Sequence, residues 1–344
     1  MKLSKEKEEI LKDEEHNVKV VAGPGAGKTT LLVEKVKRLL EKGISANKIL
    51  VISYTNKSAE DIELKISEKI NNIKDKIDIN NIYVSTIHGF CTRFIKEYNN
   101  YFKEYKGFQI LDELGQLLFI VKHINKIREN NVKEEPVDLK NYFGRIKDNY
   151  SREEIYKIEH PLKKSYLNYC QLLKDNKKLD FGDLINTVID KINTNKDLKK
   201  IASEKFDFIF VDEYQDINKN QERLLKLFKS DKNKIWVVGD KNQSIYGFRG
   251  SDITLFENFE KSFDNVKTYY LLKNYRSTWN IINLSNEFMD LKDDKKIIGN
   301  EDIEDGELTE IGSKISIKQY PDEITEAKEL VKLIKKLKME IPFL

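Results

Sequence analysis

Three glycines alternate with small residues ahead of a lysine and two threonines in Ala22-Gly23-Pro24-Gly25-Ala26-Gly27-Lys28-Thr29-Thr30. Glycines at this spacing let neighbouring backbone N–H groups turn inward around phosphate oxygens. Lys28 would reach the β- and γ-phosphates of a nucleoside triphosphate, and the Thr29 hydroxyl would sit on Mg2+. Ala22 takes the first, permissive position of the pattern, where glycine is usual. Far downstream, the apolar run Phe206-Asp-Phe-Ile-Phe-Val211 leads straight into Asp212-Glu213. A carboxylate pair at a strand end points into the crevice where parallel sheets bind ligands. Asp212 suits a Mg2+ ligand, and Glu213 suits a group that orients or deprotonates an attacking water.

Such groups need a rigid frame. Val18–Ala22, Ile49–Tyr54, Phe206–Val211, Ile235–Val238 and Tyr269–Leu272 are short, apolar and mostly β-branched or aromatic, as buried strands are. Helical patterns alternate with them: Leu32, Val36, Leu39 and Leu40 share one face of the helix after the first strand. Alternation of this kind predicts an α/β fold with a parallel, doubly wound sheet. From about Glu97 to Lys200 the pattern turns helical, as at Leu114, Leu117, Leu118 and Val121. The reading is one α/β domain, residues 1–96 and 201–278, interrupted by a helical insertion at 97–200. A further α/β segment starts near Trp279 and runs through 279–344, with Ala327, Leu330, Val331 and Ile334 in register on a last helix.

Composition narrows the class. With 344 residues and 39% hydrophobic residues the chain can bury a sizeable core. Lys and Arg number 61 against 58 Asp and Glu, so any basic track for nucleic acid must be local. Cys91 and Cys170 are too few for a disulfide framework or a zinc site, and read as reduced thiols. No stretch approaches the ~20 apolar residues that span a bilayer, and Met1–Asp13 reads as charged helix rather than a signal peptide. The expectation is a soluble, cytoplasmic protein without a membrane partner.

Further blocks carry a resemblance. ISYTNKSAEDI (Ile52–Ile62), STIHGFCTRFI (Ser85–Ile95), LDFGDLI (Leu179–Ile185), VDEYQD (Val211–Asp216), VVGDKNQSIYGFRG (Val237–Gly250) and LLKNYRS (Leu271–Ser277) resemble, in chain order, the motifs of the UvrD/Rep/PcrA-type helicases of superfamily 1. Together with the glycine loop they cover the chain from about Leu3 to Asn286. The resemblance implies a RecA-like domain split by a helical insertion, then the start of a second RecA-like domain, with ATP and Mg2+ in the cleft between them. It implies an ATP-dependent helicase or translocase on single-stranded or 3'-tailed duplex DNA, moving 3' to 5'. Gln243 resembles the γ-phosphate sensor, Arg276 the arginine that neutralises transition-state charge, and Tyr275 the aromatic that stacks on adenine.

For DNA, Tyr54, Phe181 and Phe248 fall at base-stacking positions. Tyr246 joins them, and Thr55, Asn56, His88 and Arg249 are the implied backbone contacts. Without the resemblance, Tyr54 and Phe248 would also read as core and His88 as a hydrogen-bonded structural histidine. Two departures stand out. Lys7, in LSKEK (Leu3–Lys7), takes the place of a glutamine that reads adenine, and an ammonium only donates. No later motif of the family follows Arg276, so the chain reads as the front part of a motor whose remainder lies elsewhere. The alternative is a nucleotide- and DNA-binding switch without unwinding activity, working beside a partner such as a nuclease. A P-loop kinase or transporter ATPase is disfavoured by VDEYQD and QSIYGFRG.

Overall fold

The computed structural model describes residues 3–70, 81–129, 132–157, 159–247, 250–291, 295–301 and 308–340. Its centre is one six-stranded sheet. The strands are β1 (Asn17–Ala22), β2 (Ile49–Ile52), β3 (Tyr83–Ser85), β4 (Phe208–Val211), β5 (Lys234–Gly239) and β6 (Val266–Leu271). Their order is β3-β2-β4-β5-β1-β6, and every pairing is parallel. The register sets Ile52 beside Val211, Val211 beside Val237, Val21 beside Gly239 and Ala22 beside Leu271. All six strands therefore finish along one edge, where functional loops of such sheets gather.

β2 and β4 are apolar throughout because both their faces are covered, whereas the edge strand β6 leaves Lys267 and Tyr270 exposed. Successive residues alternate between two cores. Ile49 and Val51 face the helices α1 (Lys5–Lys12), α2 (Lys28–Glu41) and α3 (Asn56–Ile70), beside Leu32, Val36 and Ile66. Leu50 and Ile52 face the other side, with Phe90 and Phe94 of α4 (Ile87–Glu97). The edge strand β3 has no counterpart in the sequence reading, because three residues are too few for a period to register.

Helices α5 (Glu113–Lys122), α6 (Pro136–Asn149) and α7 (Lys163–Asp175) share a third core built on Phe119, Ile120, Phe143 and Tyr169. The lysine-rich α7 is thus an amphipathic helix, burying Tyr166, Tyr169 and Leu173. Helix α8 (Phe181–Thr194) and the start of α9 (Lys196–Glu204) lie within the stretch read as inserted, yet Leu184, Val188, Ile192 and Leu198 join the core under the sheet. Helix α10 (Lys219–Phe228) packs with them. Leu114, Leu118 and Val121 are exposed, and α5 buries Gln116, Phe119 and Ile120 instead. That helix is apolar nearly all round, so spacing alone could not choose its inward face. Beyond β6, Lys273–Asn274 pairs in parallel with Ile298–Gly299 beside α11 (Trp279–Phe288). The last helix, α12 (Glu323–Glu340), forms as expected, but Leu330, Val331 and Ile334 are exposed. No helix among the described residues is long and apolar enough to cross a membrane.

One buried network ties α6 to the start of α8. Lys147 of α6 donates to Asp180 at 2.8 Å and pairs with Asp183 at 2.7 Å, and Tyr169 donates to Asp180 at 2.8 Å. A side chain on Gly182 would stand 2.5 Å from Lys147 Cβ, so glycine lets α6 and α8 meet. Next to Lys147, burial, with Asp180 adding to it and Lys147 opposing, pushes the Asp148 carboxyl up to about 7 from its ordinary 3.8. In the unfolded chain this acid ionises from 3.8 upward, whereas in the fold it stays protonated to about 7. Ionisation therefore favours the unfolded state across that window, and the neutral acid's stability is lost as pH rises through it. Between pH 5.5 and 8.5 wild type should lose about 1 kcal/mol relative to Asp148→Asn, after allowance for its partial solvation. Urea midpoints of both proteins at the two pH values check this, and parallel curves would refute it.

Candidate nucleotide and DNA site

The phosphate loop hangs between β1 and β6. Gly23 N–H donates to Leu271 O at 2.9 Å, and Tyr275 N–H donates to Gly25 O at 3.0 Å. Gly25 and Gly27 have φ of 67° and 83°, the left-handed region that side chains avoid. A Cβ on Gly25 would also come within 2.8 Å of Asn274 Oδ1 and 2.9 Å of Arg276 Cβ. Gly27 caps α2, so the loop Ala22–Gly27 delivers Lys28, Thr29 and Thr30 onto a helix N-terminus, where backbone donors and the helix field favour an anion. Pro24 and Ala26 complete the turn, and Ala22 is buried.

Across the sheet edge, Asp212 N–H donates to Ile52 O at 2.9 Å, ending β4. Glu213 has φ of 51°, an uncommon conformation for a side chain of its size. This turn brings its carboxylate to Lys28, whose Nζ donates to Glu213 Oε2 at 3.0 Å. Burial, reinforced by Glu213 and opposed by Lys28, pushes Asp212 up to about 6. The same causes push Asp216 up to about 6. Gln215 Nε2 donates to Glu213 Oε2 at 2.8 Å and to Asp216 Oδ2 at 3.3 Å. Its own Oε1 accepts from Asp240 N–H at 3.0 Å, and Asp240 Oδ2 accepts from Gln243 Nε2 at 2.8 Å. A hydrogen-bonded line therefore runs from Lys28 through Glu213, Gln215 and Asp240 to Gln243. Gln215, Asp216 and Asp240 were not singled out by sequence, although all three lie inside the blocks VDEYQD and VVGD. Side-chain amides and acids in loops carry no periodic signal.

The donor set fits a divalent cation beside a triphosphate. Asp216 Oδ1 is buried without a hydrogen-bond partner, and Asp212 is a buried carboxyl beside it in the same turn. Among the described residues no three His, Cys, Asp or Glu side chains form a metal cage. Two carboxyls are enough for Mg2+, which takes one or two protein ligands and draws the rest from phosphate and water. On the other flank of the loop, Asn274 Oδ1 accepts from the N–H groups of Arg276 and Ser277 at 2.7 and 2.8 Å. This turn sets Tyr275 and Arg276 against the glycines.

A cleft of about 620 Å3 runs from Asp212 and Asp216 to Tyr54, Thr55, His88 and Phe181, between the sheet edge and the inserted helices. Tyr54 stacks on Tyr246, with centroids 4.9 Å apart, and His88 lies 4.7 Å from the Phe181 ring. Asp180 caps α8 through Asp183 N–H, which presents Phe181 at the helix start. Burial, partly offset by Asp180, lowers His88 to about 4, so it is neutral at pH 7. Thr55 Oγ1 accepts from Ser58 N–H at 3.1 Å, capping α3, and Asn56 Oδ1 accepts from Thr86 Oγ1 at 3.4 Å. Phe248 and Arg249 lie outside the described residues. Both cysteines are free thiols, held protonated by burial.

A parallel sheet with a glycine loop after β1 and a carboxylate pair after β4, with β5 between the two strands, defines a P-loop nucleotide-binding protein with a RecA-like core. Residues 3–264 match the UvrD/REP helicase N-terminal domain and residues 269–343 the UvrD-like helicase C-terminal domain, so the chain belongs to the UvrD/Rep helicase family. It is 31% identical, over 97% of its length, to the ATP-dependent DNA helicase PcrA of Staphylococcus epidermidis strain RP62A, covering 45% of that protein. It is also 31% identical, over 86% of its length, to PcrA of Staphylococcus aureus strain Mu50, covering 40% of that protein. The chain thus spans under half the length of the curated relatives it matches.

Proposed function

We propose that this chain binds a Mg2+–nucleoside triphosphate, ATP by kinship, and couples its hydrolysis to movement along single-stranded or 3'-tailed DNA in the 3' to 5' direction, in the cytoplasm. The observation that carries the reading is the Lys28–Glu213 pair, whose acid directly follows Asp212, a residue that lines the same cleft as Tyr54, His88 and Phe181. Lys28 would leave Glu213 for the outer phosphates. Thr29 and Asp212 would hold Mg2+, which neutralises developing phosphate charge. Glu213, still held by Gln215, would orient the attacking water. Arg276 would approach the γ-phosphate, and Gln243 would report its loss through Asp240. Residues 1–96 with 201–278 would form the first RecA-like domain, 97–200 the insertion and 279–344 the start of the second. Tyr54, Tyr246, Phe181 and Phe248 would grip bases, with Thr55, Asn56, His88 and Arg249 on the backbone.

Phosphate release from ATP with and without single-stranded DNA tests the reading. DNA-stimulated release is expected. Nucleotide binding without release would favour the switch module acting beside a partner chain. Turnover that DNA leaves unchanged would overturn the motor. On the DNA side, Tyr54→Ala and Phe181→Ala should each weaken oligonucleotide binding about tenfold, the worth of one stacked base. Fluorescence anisotropy with a labelled oligothymidine reads this, and unchanged affinity in both variants would remove these residues from the DNA track.

A further inference from the structure

Lys7 is a lysine in an unusual place. It is only 7% exposed, on a helix anchored by Ile10 and Leu11 at 1% and 2%. Ser4 caps that helix by accepting from Lys7 N–H at 3.4 Å, which fixes where the side chain starts. The ammonium then lies 4.3 Å from the centre of the Tyr275 ring. It is also 3.0 Å from the point where a Cβ on Gly27 would stand, so it borders the phosphate loop itself. Sheet order fixes the direction. The Lys28–Glu213 pair lies on the β4 side of β1, whereas Tyr275 follows β6, on the opposite side. A nucleotide with its outer phosphates at Lys28 would extend across the loop and lay its base against Tyr275, with one edge at Lys7.

We propose that Lys7 reads the base of the bound nucleotide and turns the site toward purines with a 6-oxo group, guanine and hypoxanthine, over adenine. This rests on the nucleotide-site reading above. An ammonium carries three donors and no acceptor. Guanine presents N7 and O6, two adjacent acceptors, to such a group. Adenine presents N7 beside an amino group, which sets donor against donor. A glutamine amide donates and accepts, and so matches adenine instead.

Isothermal titration of the whole chain with the Mg2+ complexes of GTP, ITP and ATP tests this, in wild type, Lys7→Gln, Lys7→Met and Lys28→Ala. Wild type should bind GTP and ITP several-fold to about tenfold more tightly than ATP. Hypoxanthine lacks guanine's 2-amino group, so ITP should track GTP. Lys7→Gln should move the GTP-to-ATP ratio about tenfold or more toward ATP, and Lys7→Met should abolish discrimination. Melting curves matching wild type certify both variants as folded. Equal weakening of all three nucleotides in Lys7→Gln would make Lys7 a phosphate contact and overturn base reading. So would a wild-type preference for ATP. Binding that survives Lys28→Ala would instead overturn the site reading beneath it, and no binding to wild type would overturn both.

Discussion

Lys28→Ala is expected to cut nucleotide turnover by about 10^2 to 10^3, the typical loss when one positioned donor to developing charge is removed. Two effects add. The variant loses the side chain that would reach the outer phosphates. It also leaves Asp212, Glu213 and Asp216 without the cation that now holds Asp212 and Asp216 down against burial. Both carboxyls should then move further up. Steady-state phosphate release at saturating nucleotide, with a melting curve to certify the fold, reads the result. Turnover within a factor of ten of wild type would sink the phosphate-loop assignment.

Glu213→Gln should separate chemistry from binding. The amide keeps the shape and the left-handed turn but cannot take a proton, and loss of a positioned base costs about 10^2 to 10^4 in rate. Nucleotide affinity should go the other way. Lys28 is bonded to Glu213 at 3.0 Å, and removing the carboxylate charge lowers the cost of freeing that ammonium for phosphate. A few-fold tighter dissociation constant, together with near-complete loss of phosphate release, is the expected pair. Retained turnover would take Glu213 out of the chemistry. Weakened binding would show that the ion pair holds the loop in shape rather than competing for the lysine.

Gln215 makes these two results informative about coupling. One buried amide contacts Glu213 and Asp216 through its nitrogen and Asp240 N–H through its oxygen. A shift of Glu213 therefore changes the support of Asp240, and with it of Gln243, which leads toward Tyr246. The path uses hydrogen bonds within a few residues of the sheet edge.

Much of this protein could be read from local pattern. The inner strands β2, β4 and β5 are almost wholly apolar, as a parallel sheet covered on both faces demands. The glycine loop announces itself because a left-handed φ at Gly25 and Gly27 excludes other residues, and the acidic pair because it interrupts an apolar run. What tertiary structure alone decided is which distant groups meet. The Lys28–Glu213 contact, the Lys7–Tyr275 approach and the Gln215–Asp240 bond join residues separated by 185, 268 and 25 positions. No periodicity encodes such pairs, since they follow from strand order and register. The inward face of α5 was likewise undetermined until Phe119 and Ile120 found Phe143 and Tyr169, because a helix apolar on every side takes its orientation from its neighbours.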